Sequence, residues 1–193
     1  KISPTLFTGD PNFDHYKKTE WSVGYALEHQ LDSVWTVRQK LRYMHLALNN
    51  NAVYGIGLDP TDPSDSTMSR TAGIFNPSYN RFTVDTQGQA RFSAGQTSHT
   101  VLLGIDFQRQ NMHDPEWSGQ APGLNMFNPV YQPINLSTFT QDQDTWQRLR
   151  QIGVYLQDQV KFDRHWVLVV GGRQDSTSIH SEDQILKRNR DQN

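Results

Sequence analysis

Cysteine is absent from the 193 residues, which excludes disulfide bonds and thiolate-bound metals in this chain. Long apolar runs are also missing. No stretch approaches the roughly 20 apolar residues that a membrane-spanning helix needs, and the mean hydropathy is −0.73. The net charge is only −2 at pH 7, so charge gives no reason to expect nucleic acid as a partner. Aromatic residues are plentiful at 11%, which argues against a disordered chain.

The dominant pattern is an alternation of apolar and polar residues with a period of two. Between residues 20 and 31 the large apolar residues share one parity, namely Trp21, Val23, Tyr25, Leu27 and Leu31. The same pattern recurs over residues 35–47, 81–92, 101–110, 151–162 and 166–175. Alternation of this length predicts strands with one apolar face. We therefore expect about six strands of roughly 10 to 15 residues, longer than is usual in globular proteins.

Short and long connections alternate between these predicted strands. The short ones are residues 32–34, 93–98 and 163–165. Residues 49–78 and 111–145 are long, contain several prolines, and are predicted to be loops at one end of the sheet. Short turns at one end and long loops at the other are typical of an outer-membrane β-barrel. The polar tail, residues 187–193, is predicted to be part of a further loop.

Aromatic residues mark both ends of the predicted strands. Four of them flank the short turns on the apolar parity: Trp35, Phe92, Phe162 and Trp166. The candidates for a second girdle are Trp21, Tyr43, Phe82 and Phe107. Rings at two levels are what the two lipid–water interfaces of a membrane select. Four polar residues interrupt the apolar face, which we attribute to interface positions or partner contacts: Gln39, His45, Arg109 and Asp158.

Residue patterns that carry catalysis or bind metals are not found. The seven histidines lack metal-ligand spacing, and no serine lies in a glycine elbow. Gly55 and Gly57 are followed by Pro60 rather than by a dinucleotide-binding turn. Asp59, Asp62 and Asp65 could bind calcium, but they also suit a solvated loop. We therefore predict no enzyme activity, no catalytic residues and no metal site.

The long connections carry aromatic and amide side chains that suit a compact, mostly uncharged ligand. The predicted ligand-binding residues are Tyr54, Trp117, Phe127 and Tyr131. Trp117 is the strongest candidate, since it follows a strand end where a side chain could lean over a barrel mouth. The alternative interpretation is that these rings only pack the loops against each other.

Several motifs together resemble the TonB-dependent siderophore receptors. QIGVYLQDQ at residues 151–159 and WVLVVGGR at residues 166–173 look like the mid-barrel signature of that family. Other motifs resemble its ferrichrome-type, ferric hydroxamate branch: WTVRQKLR (35–42), VYGIG (53–57), FTVDTQ (82–87), HTVLLGIDF (99–107) and NPV (128–130). The resemblance covers nearly the whole chain and departs at Gln174, where the family usually has tyrosine.

This resemblance implies an all-β, antiparallel up-and-down transmembrane barrel of roughly 22 strands. Residues 1–193 would be part of the barrel domain, with strands over roughly residues 19–178, and the plug domain and remaining strands would be absent. The implied function is TonB-energised import of ferric siderophores across the bacterial outer membrane. It implies no cofactor, because the siderophore holds the iron. The implied partners are the ferric siderophore, the TonB complex through the plug, outer-membrane lipid and, at the loops, phages or colicins. By the family's pattern, Trp117 touches the hydroxamate ligand.

Two other classes remain as alternatives. A passive porin or other outer-membrane barrel would show constriction carboxylates and arginines on an in-folded loop. A soluble β-sandwich would place its apolar residues inside and fold alone in water. Against the sandwich, the strands are long, and the polar face carries Arg38, Lys40 and Arg42 in succession.

Overall fold

A computed structural model describes residues 2–163 and 165–192 as one antiparallel sheet. Its strands are β1 (His15–Gln30), β2 (Trp35–Leu58), β3 (Thr67–Phe75), β4 (Ser78–Ala94), β5 (Thr97–Asn125), β6 (Thr140–Lys161), β7 (Val167–Asp183) and β8 (Arg188–Gln192), with a 3-10 turn at Leu136–Thr138. The strand order is β1-β2-β3-β5-β6-β7-β8, and β4 pairs with β2 and β5. In the described part of the chain, no helix is long and apolar enough to cross a membrane.

β3 and β4 behave as one long strand with a break at Asn76 and Pro77. Both pair with β2 and β5, and the register continues across the break. Proline cannot donate to a ladder, but the Pro77 carbonyl accepts from the Leu48 amide at 2.9 Å, and Asn76 donates to the Pro115 carbonyl at 3.3 Å. The sheet therefore consists of six long strands and the short β8, which confirms the predicted all-β antiparallel fold. The predicted strand length is too short, because β1 has 16 residues and β5 has 29.

The register keeps apolar residues beside apolar ones across four strands. Leu41 pairs with Val84, Val84 with Phe107, and Phe107 with Ile152. The neighbouring positions Lys40, Asp85 and Asp106 form the opposite row. Because side chains alternate along a strand, these two rows define an apolar outward face and a polar inward face.

The outward face is exposed over much of the apolar band. Its exposed members include Val23, Leu27, Leu103, Ile105, Val154, Leu156, Leu168 and Val170. Aromatic rings border this apolar band at both ends. At one end the ring centroids of Trp21 and Tyr43 lie 5.5 Å apart, and those of Phe82 and Phe107 lie 6.4 Å apart. The exposed rings at the other end, beside the short turns, are Trp35, Phe92, Phe162 and Trp166. An apolar band of this extent needs an apolar environment, which the hydrocarbon layer of a membrane provides.

Three of the four polar interruptions on the outward face are paired locally. Gln39 accepts a hydrogen bond from Tyr25 and donates to Thr86 at 3.0 Å. His45 lies 2.8 Å from the Asn80 amide oxygen, and Asp158 lies 2.8 Å from His99. Arg109 instead lies directly opposite Arg150. Local pairing explains how the apolar band tolerates the first three residues.

The prediction of long loops over residues 49–78 and 111–145 is wrong in extent. β2 continues to Leu58, β3 begins at Thr67, β5 continues to Asn125, and β6 begins at Thr140. The connections shrink to residues 59–66 and 126–139. Alternation fades beyond the apolar band because lipid no longer imposes it on one face, yet the backbone hydrogen bonds continue. We call these strand segments, residues 48–58, 67–75, 112–125 and 140–149, the hairpin extensions.

The buried apolar core lies in the hairpin extensions rather than in the apolar band. Val53, Ala72 and Ala121 are buried together on the outward parity. The rings and side chains that cover them are Phe13, Ile134 and Phe139. The chain on either side of the strands therefore folds back over the outer surface of the extensions.

The predicted loop over residues 187–193 is also wrong, because β8 occupies most of it. Arg188 pairs with Asp183, and Gln192 pairs with Ile179. The segment is polar and lacks alternation, so its strand is defined by backbone pairing with β7. Asn193 lies outside the described residues.

Candidate ligand-binding site in the hairpin extensions

Tyr54 lies on the inward face of the hairpin extensions. Its ring meets the ring of Phe75 edge-on, with centroids 6.2 Å apart. Glu116 pairs with Phe75 and shares this face. Burial is the main cause that raises the pKa of the Tyr54 hydroxyl, and the charges of Asp14 and Glu116 add to it. Tyr54 therefore stays neutral at physiological pH and offers a ring and a hydroxyl to a ligand on the barrel side.

Glu116 adds a carboxyl group to this inward surface. Burial raises its pKa, and the nearby charges of Asp114 and Asp142 raise it further. Gln143 donates to the Asp114 carboxylate at 2.8 Å, so the Asp114 carboxylate already has a hydrogen-bond partner. The inward surface thus combines aromatic rings with carboxyl and amide groups, which can contact a polar ligand through ring faces and hydrogen bonds.

Trp117 lies on the opposite side of the sheet. It pairs with Ile74 across β3 and is half-buried. Phe107 faces outward, and Trp117 lies an even number of residues further along β5. The register of β5 with β3 and β4 stays regular over this distance, so the two side chains lie on the same face. The indole therefore belongs to the outward parity, whereas Tyr54 belongs to the inward one.

Phe127 and Tyr131 lie close together in the connection between β5 and β6. They line a cavity of about 240 Å³ with residues Ser3, Thr5, Leu6 and Phe7 of the N-terminal segment. Tyr131 donates its hydroxyl hydrogen to the Phe7 carbonyl at 2.8 Å, and the two rings lie 6.4 Å apart. The Phe127 side chain is 57% exposed. Of the four predicted residues, the structure brings these two together and places Tyr54 and Trp117 elsewhere.

Arg70 is a central residue of this region that sequence reasoning missed. It is only 2% exposed, and it lies on β3 beneath Tyr131 with its guanidinium carbon 5.9 Å from the ring centroid. It donates to the carbonyls of Gly9 at 2.7 Å and Pro122 at 2.9 Å. The only local signal is an arginine directly before a mostly apolar stretch, residues 71–75, because the partners of Arg70 are distant in sequence.

A second polar cluster lies on the inward face at the level of the apolar band. Tyr155 donates to Asp85 at 2.7 Å, and Arg173 contacts Asp106 through both terminal nitrogens, at 2.5 and 3.1 Å. The cluster lines a cavity of about 810 Å³. Such a wall suits a hydrated lumen or a polar domain seated in it.

Two glycines make this cluster possible. A Cβ at Gly104 would lie 2.1 Å from the Tyr155 ring, and one at Gly153 would lie 2.2 Å from Arg173. Each long side chain therefore crosses a glycine on the neighbouring strand to reach an acid two strands away. The sequence contains both glycines, but only the register shows which side chain covers each.

The carboxylates of the acidic connection between β2 and β3 accept hydrogen bonds from residues of the same connection. Asp59 accepts from Thr61, and Asp62 accepts from Ser64 and Ser66. These hydrogen bonds lower the pKa of Asp62, with the Ser64 hydroxyl as the largest cause. Within residues 2–163 and 165–192, no three histidine or acidic side chains converge as metal ligands would.

Comparison with known proteins gives a family match over residues 2–193, to the model described as TonB dependent receptor-like, beta-barrel. The ferrioxamine B receptor of Salmonella typhimurium is 35% identical over 187 residues, covering 96% of this chain and 26% of the relative. The ferrichrome outer membrane transporter/phage receptor of Escherichia coli K12 is 33% identical over 197 residues, covering 91% and 26%. The chain spans about a quarter of the length of these curated relatives.

Solved structures show the same fold. The open form of the ferric-catecholate import receptor Fiu from E. coli K12 superposes with a TM-score of 0.82 at 21% identity, covering 95% of this chain and 29% of that one. The siderophore receptor PiuA from Acinetobacter baumannii gives a TM-score of 0.80 at 14% identity, covering 95% and 29%. At these identities the likeness concerns the fold alone.

Proposed function

The chain belongs to the TonB-dependent receptor β-barrel family, and from this premise we propose that it forms part of an outer-membrane receptor that imports ferric siderophores. The siderophore is of the hydroxamate type, such as ferrichrome or ferrioxamine. The named relatives with 33–35% identity are receptors for these two compounds, which supports this choice. The chain contributes binding surface and barrel wall, and it performs no chemical step on the iron complex.

The observation that carries the proposal is the height of the hairpin extensions above the apolar band. β5 alone has 29 residues, whereas roughly 9 to 11 residues span a membrane. The extensions and their connections present Tyr54, Phe127 and Tyr131 beyond the membrane, where a ligand arrives from outside. Rings and hydroxyls at this height suit a compact, weakly charged complex.

We propose Tyr54, Trp117, Phe127 and Tyr131 as ligand contacts. Tyr54 faces the barrel side and Phe127 is exposed at the connection, so these two have direct access. Trp117 belongs to the outward parity, and so does Arg70, which pairs with Ala121 and lies against Tyr131. Trp117 therefore shares its side of the sheet with the residue that supports the Phe127–Tyr131 cavity. We expect Tyr54, which faces the barrel interior, to be the stronger contact of the two.

The proposed partners follow from the same function. Lipid covers the outward apolar band, and the TonB complex drives uptake through a plug domain that fills the lumen beside Tyr155 and Arg173. The exposed connections are accessible to phages and colicins. The siderophore holds the iron, so the chain itself needs no cofactor.

The test is binding and uptake by the full-length receptor. The purified receptor in detergent is titrated with a ferric trihydroxamate, a ferric catecholate and the iron-free trihydroxamate, and binding is followed by calorimetry. Uptake of radioactive iron is then measured in cells with and without TonB. We expect saturable binding of the ferric trihydroxamate and uptake that requires TonB.

Two outcomes would contradict the proposal. Saturable binding of the catecholate alone would overturn the hydroxamate assignment and leave the receptor function standing. Absence of binding by every complex, together with solute flux independent of TonB, would indicate a passive channel.

A further inference from the structure

We infer that Arg70 is a positioning residue that clamps the N-terminal segment and the 126–139 connection into one pocket for the ligand. This inference rests on the proposed function, because it names a residue that holds that function's binding surface in place. Arg70 itself does not touch the ligand, since its side chain is fully buried. We call residues 2–14 the N-terminal strap.

The guanidinium of Arg70 joins three segments that are far apart in sequence. Its Nε donates to the Pro122 carbonyl on β5 at 2.9 Å. Its Nη1 donates to the strap carbonyls of Gly9 at 2.7 Å and Thr8 at 3.4 Å. Since Arg70 itself stands on β3, one planar group fixes the strap to two strands. A planar fork with five N–H donors is suited to several acceptors at once.

Burial of this charge makes the arrangement rigid. Asp10, which is 2% exposed, is the acidic partner, with its Oδ2 3.9 Å from the Arg70 Nη2, and neither of these two atoms makes a hydrogen bond within the described residues. A buried cation is tolerated only while its hydrogen-bonding and ionic partners stay in place. Withdrawal of the strap would remove the carbonyls of Thr8 and Gly9 as well as the carboxylate of Asp10. The direct hydrogen bonds between Arg70 and the strap are those to the carbonyls of Thr8 and Gly9.

The same strap forms one wall of the cavity that contains the exposed ring of Phe127. Its Phe7 accepts the hydroxyl hydrogen of Tyr131, and the Tyr131 ring lies over the Arg70 guanidinium. Arg70 thus supports the pocket from below, through the strap on one side and through Tyr131 on the other. A binding surface made of connections gains affinity when such contacts fix it before the ligand arrives.

Two further contacts anchor the strap independently at its C-terminal end. Asp14 accepts a hydrogen bond from the Val53 amide at 2.9 Å, and the Phe13 ring packs near Phe139 at 6.0 Å. Loss of Arg70 should therefore loosen residues 7–10, which lie next to the lost hydrogen bonds, while residues 13 and 14 stay in place. This separation allows the clamp to be tested without unfolding the barrel.

The experiment uses the full-length receptor in detergent with a spin label introduced at Thr8, an exposed strap residue whose side chain does not line the cavity. Label mobility is measured by electron paramagnetic resonance, and affinity for a ferric trihydroxamate is measured by calorimetry. The variants are Arg70→Ala, Arg70→Lys and the milder Tyr131→Phe, which removes only the hydrogen bond to Phe7. Arg91→Ala is the matched control, because Arg91 is exposed near the opposite end of the sheet.

We expect the label to be immobilised in the wild type and the control and to become mobile in Arg70→Ala. Affinity should weaken by about tenfold or more, the size expected for losing hydrogen bonds to a charged donor. Arg70→Lys should resemble Arg70→Ala, because an ammonium group does not reproduce the planar fork. Tyr131→Phe should shift both readouts in the same direction by a smaller factor.

Each contrary result overturns a separate step. An unchanged label in Arg70→Ala would contradict the clamp. A mobile label with unchanged affinity would show that the pocket does not serve the ligand and would overturn the positioning role. If the wild type binds no ferric siderophore, the proposed function fails, whereas label mobility still decides whether Arg70 holds the strap.

Discussion

Tyr155 on β6 donates a 2.7 Å hydrogen bond to Asp85 on β4, although β5 lies between the two strands. The contact is possible because Gly104 of β5 has no side chain where the Tyr155 ring passes. Arg173 repeats the arrangement one strand further along, crossing Gly153 to reach Asp106. The inward wall is thus tied together over four strands by side chains as well as by the backbone.

Gly104→Ala should therefore destabilise the barrel by about 1–3 kcal/mol, the usual range for overpacking. The new methyl group would displace the Tyr155 ring and break its bond to Asp85. The unfolding free energy of the full-length receptor, measured by denaturant titration, checks this. Gly88→Ala is the matched control, since a Cβ at Gly88 meets nothing within 4 Å. Equal stability of the two variants would contradict the crossing of Tyr155 over Gly104.

Adjacent arginine substitutions on β6 should distinguish the two faces of the sheet. Leu156 belongs to the outward band and Gln157 to the inward face. Leu156→Arg should cost about 2–4 kcal/mol of unfolding free energy in a bilayer, because it places a charge in lipid near the midplane. Gln157→Arg should cost much less, since its side chain enters the polar lumen. Unfolding in lipid vesicles gives both values, and a reversed order would invert the assignment of the faces.

Tyr54→Ala should weaken binding of a ferric trihydroxamate more than Trp117→Ala does. Tyr54 lies on the inward parity, and loss of an aromatic contact typically weakens binding by about three- to tenfold. Trp117 lies on the outward parity beside Ile74, so its removal should have a smaller effect. Calorimetric titration of both variants decides the order. A larger loss for Trp117→Ala would place the ligand on the outer side of the extensions, where Arg70 and the Phe127–Tyr131 cavity lie.

The connection between β2 and β3 should lose its order in acid. The hydroxyl and amide groups of Ser64 and Ser66 hold the pKa of Asp62 below its ordinary value of 3.8. A lowered pKa means that these bonds stabilise the connection fully above pH 3.8, and that this stability is lost as pH falls through the folded-state pKa. A spin label at Pro63, an exposed residue of this connection, should become mobile on acidification.

Two variants control this pH experiment. Asp62→Asn should abolish the pH dependence, because the amide does not titrate in this range. Asp65→Asn should leave it unchanged, since Asp65 is exposed and its positive φ of 49° is tolerated by asparagine. Persistence of the transition in Asp62→Asn would assign it to another carboxylate.

The sequence by itself determined the strands within the apolar band and the face of each residue there. The alternation of apolar and polar residues is a local property of the sequence. Lipid on one side of the sheet imposes this alternation on segments such as residues 101–107. The resemblance motifs lie mainly in these same segments, so family and fold followed from them as well. The two aromatic girdles could be located for the same reason.

Only the tertiary structure decided the extent of the strands and the side-chain contacts in the hairpin extensions above the apolar band. There lipid does not impose alternation, and Pro77 and Pro115 looked like loop residues although their carbonyls remain in the ladder. Burial of Arg70 depends on carbonyls 52 to 62 residues away in sequence. Such contacts arise from cross-strand register and chain reversal, which local periodicity does not encode, and they shape the surface to which we assign the ligand.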